Sequence, residues 1–556
     1  MKIAIAQLNP TIGDIQGNAD KILKAADRAA TENVRLLLTP ELSLCGYPPR
    51  DLLLDPNFVE TMAKQLSELA SNLPEGVAVL VGTVEPNAES ISTGGKPLFN
   101  SVALIEKGNI LKIFHKRLLP TYDVFDEDRY FEPGNQPNQF ELDGVPIGVT
   151  ICEDLWNDEE FWGKRTYTLN PIADLAQTGV KFTINLSASP YTVGKQKLRE
   201  AMLRHGALRF NQPLIYANQV GGNDDLIFDG ASIAIDRKGK LTARALGFEE
   251  DWLVIEYNRE KQDFEKSSIA HPPECDEAEL WSALVLGVRD YARKCGFSKI
   301  VLGLSGGIDS SLIAAIASEA VGAENVLGIL MPSPYSSDHS IQDALDLARN
   351  LGIQTQTLAI GTIMECFDRT LDLLFAGTPF GLAEENLQSR IRGTLLMAVS
   401  NKFGHLLVST GNKSEIAVGY CTLYGDMNGG LAAIADVPKT AVYRLCEWIN
   451  RSQEIIPVNV LVKPPSAELK PGQKDQDSLP DYDTLDDILD RYIHQHQAPA
   501  EIVTAGHEAA IVERVVKLVR IAEFKRKQAP PGLKVTDRAF GTGWRMPIAS
   551  RWIARI

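Results

Sequence analysis

Three residues in the first third of the chain carry groups able to attack a carbonyl or move a proton, and each follows an apolar run. Cys152 ends Val145-Pro-Ile-Gly-Val-Thr-Ile-Cys152-Glu153-Asp154, Glu41 ends Leu36-Leu-Leu-Thr-Pro-Glu41, and Lys116 stands in His115-Lys116-Arg-Leu-Leu-Pro120. A thiol at a strand end can be exposed at one atom while its surroundings stay dry, and a nearby cation favours its thiolate. A carboxylate placed there is desolvated, which raises its pKa toward general-base work. Taken singly, the cysteine reads more often as a small core filler, the glutamate as a solvated cap and the lysine as surface charge. Spacing alone does not show that the three meet.

A second kind of chemistry lies in Val301-Leu-Gly-Leu-Ser-Gly-Gly-Ile-Asp-Ser-Ser311. The pattern reads as strand, tight loop, helix. Glycines let the backbone press against a ligand, and the unpaired N–H groups of the helix start favour an anion. Asp309 is an acid where a phosphate would repel it, and a metal ion between them resolves the conflict. The run is neither G-x-x-x-x-G-K-[ST] nor G-x-G-x-x-G. His405-Leu-Leu-Val-Ser-Thr410-Gly-Asn-Lys-Ser-Glu415 is a further apolar strand ending in a polar loop. The pair Asp309 and Glu415, both delivered to strand ends, reads as a magnesium site.

The elements that must position these groups follow from periodicity. In the first half, short apolar runs (2–8, 34–38, 77–81, 110–114, 182–186, 214–218, 232–236 and 252–257) alternate with helical patterns at 20–32 and 58–73, which implies layered α/β packing. A polar break with His271-Pro-Pro places a linker at 266–276, between domains at 1–265 and 277–556. From 277 the order is helix, strand 299–304, helix, strand 326–331, helix 340–351, strand 355–360. That is the order of a doubly wound parallel sheet, which binds its ligand beyond the C-terminal strand ends. In Glu384-Glu-Asn386-Leu-Gln388-Ser-Arg390-Ile-Arg392, helical spacing puts 385, 388 and 392 on one face and 386 with 390 on a neighbouring one.

With 556 residues, two to four domains are expected. A net charge of −16 excludes a general nucleic-acid or anionic-membrane binder. No apolar stretch reaches membrane-spanning length, and seven scattered cysteines without C-x-x-C pairs point to a reducing cytoplasm.

Several of these runs match known families in wording. Ser-Gly-Gly-x-Asp-Ser-Ser resembles the pyrophosphate loop of the ATP pyrophosphatase (PP-loop) family, whose members adenylate a substrate and expel pyrophosphate. Pro40-Glu41-Leu, Lys116-x-x-Leu-Pro120 and Ile151-Cys152-Glu153-Asp154 resemble the Glu–Lys–Cys triad of the nitrilase/amidase family, in its glutamine-hydrolysing branch. Glu384-Glu-Asn-x-Gln-x-Arg-x-Arg, Thr410-Gly-Asn-Lys-Ser-Glu415 and Pro465-Ser-Ala-Glu-Leu469 are similar to NAD synthetases.

Together these likenesses cover nearly the whole chain and resemble the glutamine-dependent NAD+ synthetase family. The resemblance implies a nitrilase-like α-β-β-α sandwich followed by a doubly wound PP-loop domain, in a homo-oligomer (dimer to octamer). It implies a ligase that makes NAD+ from deamido-NAD+ using ATP, Mg2+ and ammonia from L-glutamine. Cys152 would be the nucleophile, Glu41 the base and Lys116 the oxyanion partner, with Glu127 in support. Tyr122, Ser189 and Lys195 would hold glutamine. Gly303, Leu304, Ser305, Gly306, Gly307, Ile308, Asp309, Ser310, Ser311 and Thr410 would bind ATP, with Lys439 also near its phosphates. Asp309 and Glu415 would hold magnesium, and Asn386, Glu415 and Lys525 would meet deamido-NAD+. Gln473–Pro480 reads as a mobile loop over the site. Trp544 stands where the family often has a basic residue.

Overall fold

Strand β1 (Lys2–Gln7) buries Ile3 and Ile5 in one apolar cluster and Ala4 and Ala6 in another. Because strand side chains alternate between faces, such a strand must be covered on both. The same split recurs in β2 (Leu36–Leu38), β3 (Ala78–Pro86) and β4 (Leu98–Glu106), which explains why these segments read as continuous apolar runs.

The structure, a computed structural model, describes residues 1–552, and the chain folds as two compact units divided between Glu274 and Cys275. The first unit holds two large sheets. β5 (Asn109–His115) closes one edge of the first sheet. β6 (Gln139–Leu142), β7 (Val145–Ile151), β8 (Phe182–Ser187) and β9 (Leu214–Asn218) belong to the second. β10 (Val220–Asn223) and β11 (Leu226–Asp229) form a separate hairpin. β12 (Ile233–Ile235) and β13 (Leu241–Arg244) complete the second sheet, and β14 (Asp251–Asn258) with β15 (Asp263–Phe264) the first. The first sheet runs β15-β14-β1-β2-β3-β4-β5 and the second β13-β12-β9-β8-β7-β6.

Their inner faces share one core. Ile3, Leu36, Leu80 and Val102 from one sheet meet Ile147, Val149, Ile184 and Ile215 from the other. Helices Ile15–Thr31 and Pro56–Asn72 cover the first sheet's outer face, and Pro171–Gln177 with Lys195–Phe210 cover the second's. The result is an α-β-β-α sandwich. Burying each large aliphatic contributes about 1.5–3 kcal/mol.

Two boundaries depart from the sequence reading. The first helix begins at Ile15, five residues early, because Asp14 caps it by accepting from Gly17 N across a stretch of weak helix formers (Gly17, Asn18). Residues 267–270 run beside β13, with Ser267 N donating to Thr242 O at 2.8 Å and Ala270 N to Arg244 O at 3.0 Å.

The second unit is built on a parallel sheet of β16 (Ile300–Gly303), β17 (Val326–Leu330), β18 (Gln354–Thr357) and β19 (Leu406–Leu407), in the order β18-β17-β16-β19. The chain winds outward through β18 and returns to lie beside β16, so the topological switch point falls between β16 and β19. Helix Ile308–Val321 is apolar nearly all round and correspondingly buried. A second cluster of helices packs through Leu485, Ile488, Ile502, Val512 and Val515 onto Ala417 and Val418. No helix among the described residues is long and apolar enough to cross a membrane.

Candidate active sites

The turn after β2 carries Glu41. Thr39 N donates to Leu80 O at 3.1 Å and Leu44 N to Gly82 O at 3.0 Å, pressing the turn onto β3. A Cβ at Gly82 would stand 2.3 Å from Pro40 O, so only glycine permits the approach. Glu41 and Lys116 are both fully buried, and Lys116 Nζ donates to Glu41 Oε1 at 2.7 Å and to Glu127 Oε1 at 2.8 Å. Asn100 Nδ2 donates to Glu41 Oε1 at 2.8 Å and Tyr47 OH to Glu127 Oε1 at 2.9 Å. Ala188 N donates to Glu41 Oε2 at 2.9 Å.

Burial works against the Lys116 ammonium, but Glu127 and Glu41 more than offset it and hold the group well above the ordinary lysine range. Cys152 begins the turn after β7 with φ of 40°, a left-handed backbone that a non-glycine residue adopts only under local constraint. Burial, then the Glu41 charge, pushes its thiol well up, with Lys116 opposing. Among the charges acting on this thiol, that of Glu41 acts most strongly.

The residues expected around glutamine lie on or bond to chain segments next to this cluster. Tyr122 OH donates to Glu153 Oε2 at 3.0 Å, and Tyr167 OH to Glu153 Oε1 at 3.0 Å. Burial raises the Glu153 carboxyl to about 7. Ser189 follows Ala188, and its carbonyl accepts from Arg199 Nη2 at 3.0 Å. Lys195 Nζ donates to Pro190 O at 2.9 Å.

In the second unit the serine–glycine loop leaves β16 at the switch point. Gly306 has φ of 78°, and a Cβ there would lie 2.1 Å from Ser340 O. Ser305 Oγ accepts from Gly307 N at 3.1 Å, while Ser310 and Ser311 hydroxyls each donate to Gly307 O at 2.9 Å. Gly303, Leu304 and Ile308 frame this loop. Asn412, fully buried, donates Nδ2 to Asp309 Oδ1 at 2.9 Å and caps the next helix by accepting from Glu415 N at 3.0 Å. Thr410 lies two residues before it, in the loop following β19. Lys439 Nζ donates to Asp309 Oδ2 at 2.5 Å and to Glu415 Oε1 at 3.1 Å. Burial raises Glu415 to about 7, with Lys439 opposing.

Asp309 and Glu415 converge on one cation position, now held by Lys439. Among the described residues no cluster of three or more His, Cys, Asp or Glu is poised around a metal. Two carboxylates completed by phosphate oxygens and water suit Mg2+, which is seldom held in an all-protein cage. The donor set fits.

Asn386 Oδ1 accepts from Thr422 Oγ1 at 2.9 Å, and Lys525 Nζ donates to Gly419 O at 2.8 Å and Cys421 O at 2.6 Å, so both converge on the segment following the Glu415 helix. The faces read from helical spacing separate as expected. Gln388 and Arg392 donate to Leu469 O and Met331 O, whereas Asn386 and Arg390 turn to Thr422 and Leu423 O. The segment expected as a mobile loop folds around a short turn at Asp475–Asp477, with Asp475 N donating to Pro465 O and Tyr482 OH to Asp475 Oδ2. Trp544 is buried and donates Nε1 to Glu523 Oε2 at 2.8 Å. Asn100, Tyr47 and Asn412 bond directly to candidate site residues and were not singled out in the sequence. Only Asn412, inside Thr-Gly-Asn-Lys-Ser-Glu, carried a signal, a helix-capping residue three before Glu415.

The carbon-nitrogen hydrolase family profile matches residues 2–262 and the NAD synthase profile residues 280–529. A glutamine-dependent NAD+ synthetase of Synechocystis sp. is 64% identical over 547 residues, covering 98% of each chain. The chain belongs to the glutamine-dependent NAD+ synthetase family. A Thermotoga maritima synthetase is 44% identical over 99% of both chains. The Acinetobacter baumannii synthetase, solved with ADP, superimposes with a TM-score of 0.78 at 40% identity, over 100% of this chain and 99% of that one. The family pairs the two chemistries that the two units present.

Proposed function

We propose that the chain makes NAD+ from deamido-NAD+ by coupling two reactions, one in residues 1–265 and one in 277–556. In the first, Cys152 Sγ attacks the carboxamide carbon of L-glutamine and Glu41 takes the thiol proton. Lys116 stabilises the oxyanion, Glu41 passes the proton to departing ammonia, and water opens the thioester to glutamate. Tyr122, Ser189 and Lys195 hold the glutamine. A substrate end bearing both an ammonium and a carboxylate suits that mixed set of hydroxyl and cation.

In the second reaction, the nicotinate carboxylate of deamido-NAD+ attacks the α-phosphorus of ATP and pyrophosphate leaves. Ammonia then attacks the acyl-adenylate carbon and AMP departs. Residues 303–311 and Thr410 receive ATP, while Asn386, Glu415 and Lys525 receive deamido-NAD+. Magnesium held by Asp309 and Glu415 would neutralise charge on the phosphates. Lys439, which spans the same two carboxylates, lies within reach of ATP phosphates once they are engaged. Ammonia must be neutral to attack, although it is mostly protonated in neutral water, and the chain acts as a homo-oligomer. Seven free thiols suit a cytoplasmic location.

One observation carries this reading: a single chain holds both a buried Cys152 on which the charges of the Glu41–Lys116 pair act and a serine–glycine loop at the switch point of a parallel sheet. The test is Cys152→Ala. Glutamine-driven NAD+ synthesis should disappear while ammonia-driven synthesis continues. Loss of both in a folded protein would overturn the division of roles.

A further inference from the structure

Lys116 follows the end of β5 and Cys152 follows β7, and these strands belong to different sheets. No backbone ladder joins the two sheets. Their shared core is apolar, which is attractive but not directional, and the polar ties that cross it, such as Lys112 Nζ to Gln139 O at 2.8 Å and Ala188 N to Glu41 Oε2 at 2.9 Å, do not touch the turn at Cys152. A nucleophile and an oxyanion partner delivered from opposite sheets therefore need a directional tie.

Asp154 supplies one. Its Oδ1 accepts from Arg117 N at 3.0 Å and from Leu118 N at 2.8 Å, and its Oδ2 accepts from Ile151 N at 3.0 Å. The bonded N–H groups lie immediately after Lys116 and immediately before Cys152. The carboxylate is 1% exposed, and no cation pairs with it directly among the described residues. Such charge-assisted bonds to backbone N–H are stronger and better oriented than neutral ones. The Ile151 bond also braces the turn in which Cys152 is held at φ of 40°. We propose that Asp154 is the positioning residue that fixes Lys116 against Cys152 across the two sheets for glutamine hydrolysis.

Asp154 is not placed to be the base. Its three bonds point at backbone donors, and it acts on the reaction only through the residues it holds. Burial raises its carboxyl to about 6, against the three bonds that favour the charged form, so the clamp operates at a cost that an ordinary turn residue would not bear.

The inference rests on the Glu41–Lys116–Cys152 reading. Glutamine hydrolysis that survives Cys152→Ala would sink that reading, whatever Asp154 does. The test of Asp154 itself is Asp154→Asn, nearly isosteric, in the full-length chain. Its amide NH2 cannot accept, so one side of the clamp opens. Glutaminase kcat should fall about a hundredfold, the scale of a small misplacement of reacting groups, with KM for glutamine within threefold. The pH profile of Cys152 alkylation by iodoacetamide should move, and ammonia-driven NAD+ synthesis should stay within twofold. Asp154→Glu, which keeps two acceptors at a longer reach, should recover part of the kcat lost in Asp154→Asn.

Either of two results would overturn the proposal. One is a kcat within threefold of wild type in Asp154→Asn. The other is lost activity that tracks lost folded protein, with the alkylation profile unchanged in the folded fraction. Should Asp154→Asn not fold, the glutamate variant alone decides by the same two measurements.

Discussion

The Lys439 ammonium stands 2.5 Å from the Asp309 carboxylate. It also reaches Glu415, so one side chain neutralises the two acids that would otherwise repel each other beside the phosphate loop. Burial opposes its charge, and Asp309 and Glu415 together hold the group above its ordinary range. Lys439→Met would leave both acids without that cation, a loss of about 3–5 kcal/mol when one partner of a buried pair is removed. Ammonia-driven NAD+ formation should fall by at least a hundredfold while glutamine hydrolysis continues. Equal loss of both activities would contradict this assignment.

Glu127 shares the Lys116 ammonium with Glu41 and receives the Tyr47 hydroxyl. Glu127→Gln removes one of the two charges that keep Lys116 protonated and aimed. Glutamate release should slow by about ten- to a hundredfold with KM nearly unchanged, since the residue acts through Lys116. A rise in KM alone would place Glu127 at the substrate instead.

The Glu153 carboxyl is raised by burial from 4.5 to about 7. Between these values the native state binds more protons than the unfolded chain, so this group's contribution to stability falls as pH rises from about 4.5 to 7 and is level above. Glu153→Gln has no such titration. Its stability relative to wild type should improve across that window, by on the order of 3 kcal/mol if the partner hydroxyls adapt. Denaturant unfolding at pH 4.5 and 8 measures this, and a difference independent of pH would refute it.

Gly306→Ala would force a methyl to within 2.1 Å of Ser340 O at a φ of 78°. Either the phosphate loop or helix Asp338–Leu351 must move. ATP binding, read by isothermal titration, should weaken at least tenfold, and glutaminase activity should be untouched. Wild-type affinity would show that the loop tolerates a side chain there.

Lys413 is buried and donates to Asp436 Oδ1 at 2.7 Å, to Thr536 Oγ1 at 2.7 Å and to Arg538 O at 2.9 Å, with His494 Nε2 at 2.8 Å. Lys413→Met strands these acceptors and should cost the second unit about 3–5 kcal/mol. Thermal unfolding should show the second unit melting earlier. An unshifted transition would mean that water replaces the ammonium.

The layered class of each unit was legible because two-faced strands leave unbroken apolar runs, and the strand–loop–helix at 300–308 announced its own site. The convergence of Glu41, Lys116 and Cys152 was legible only by likeness, since their partners are drawn from both sheets and sequence carries no trace of sheet packing. Asp154 illustrates the limit. Beside Glu153 it reads as one more turn acid, and its role rests on two N–H groups more than thirty residues away. Asn100, mid-strand in β4, likewise looks like a polar interruption until Glu41 and Glu127 close on it.

Two of the acceptors around the Lys413 ammonium, at 536 and 538, reach the ribosome exit long after β16–β19 have emerged. The first compact unit, which carries Glu41, Lys116 and Cys152, by contrast ends at Glu274. Domains fold as units, the N-terminal one first during translation. During each round of synthesis the first unit should therefore be folded before the second is complete. A message cut short ahead of codon 536 would yield a polypeptide that keeps Glu41, Lys116 and Cys152 but lacks two of the acceptors that hold Lys413.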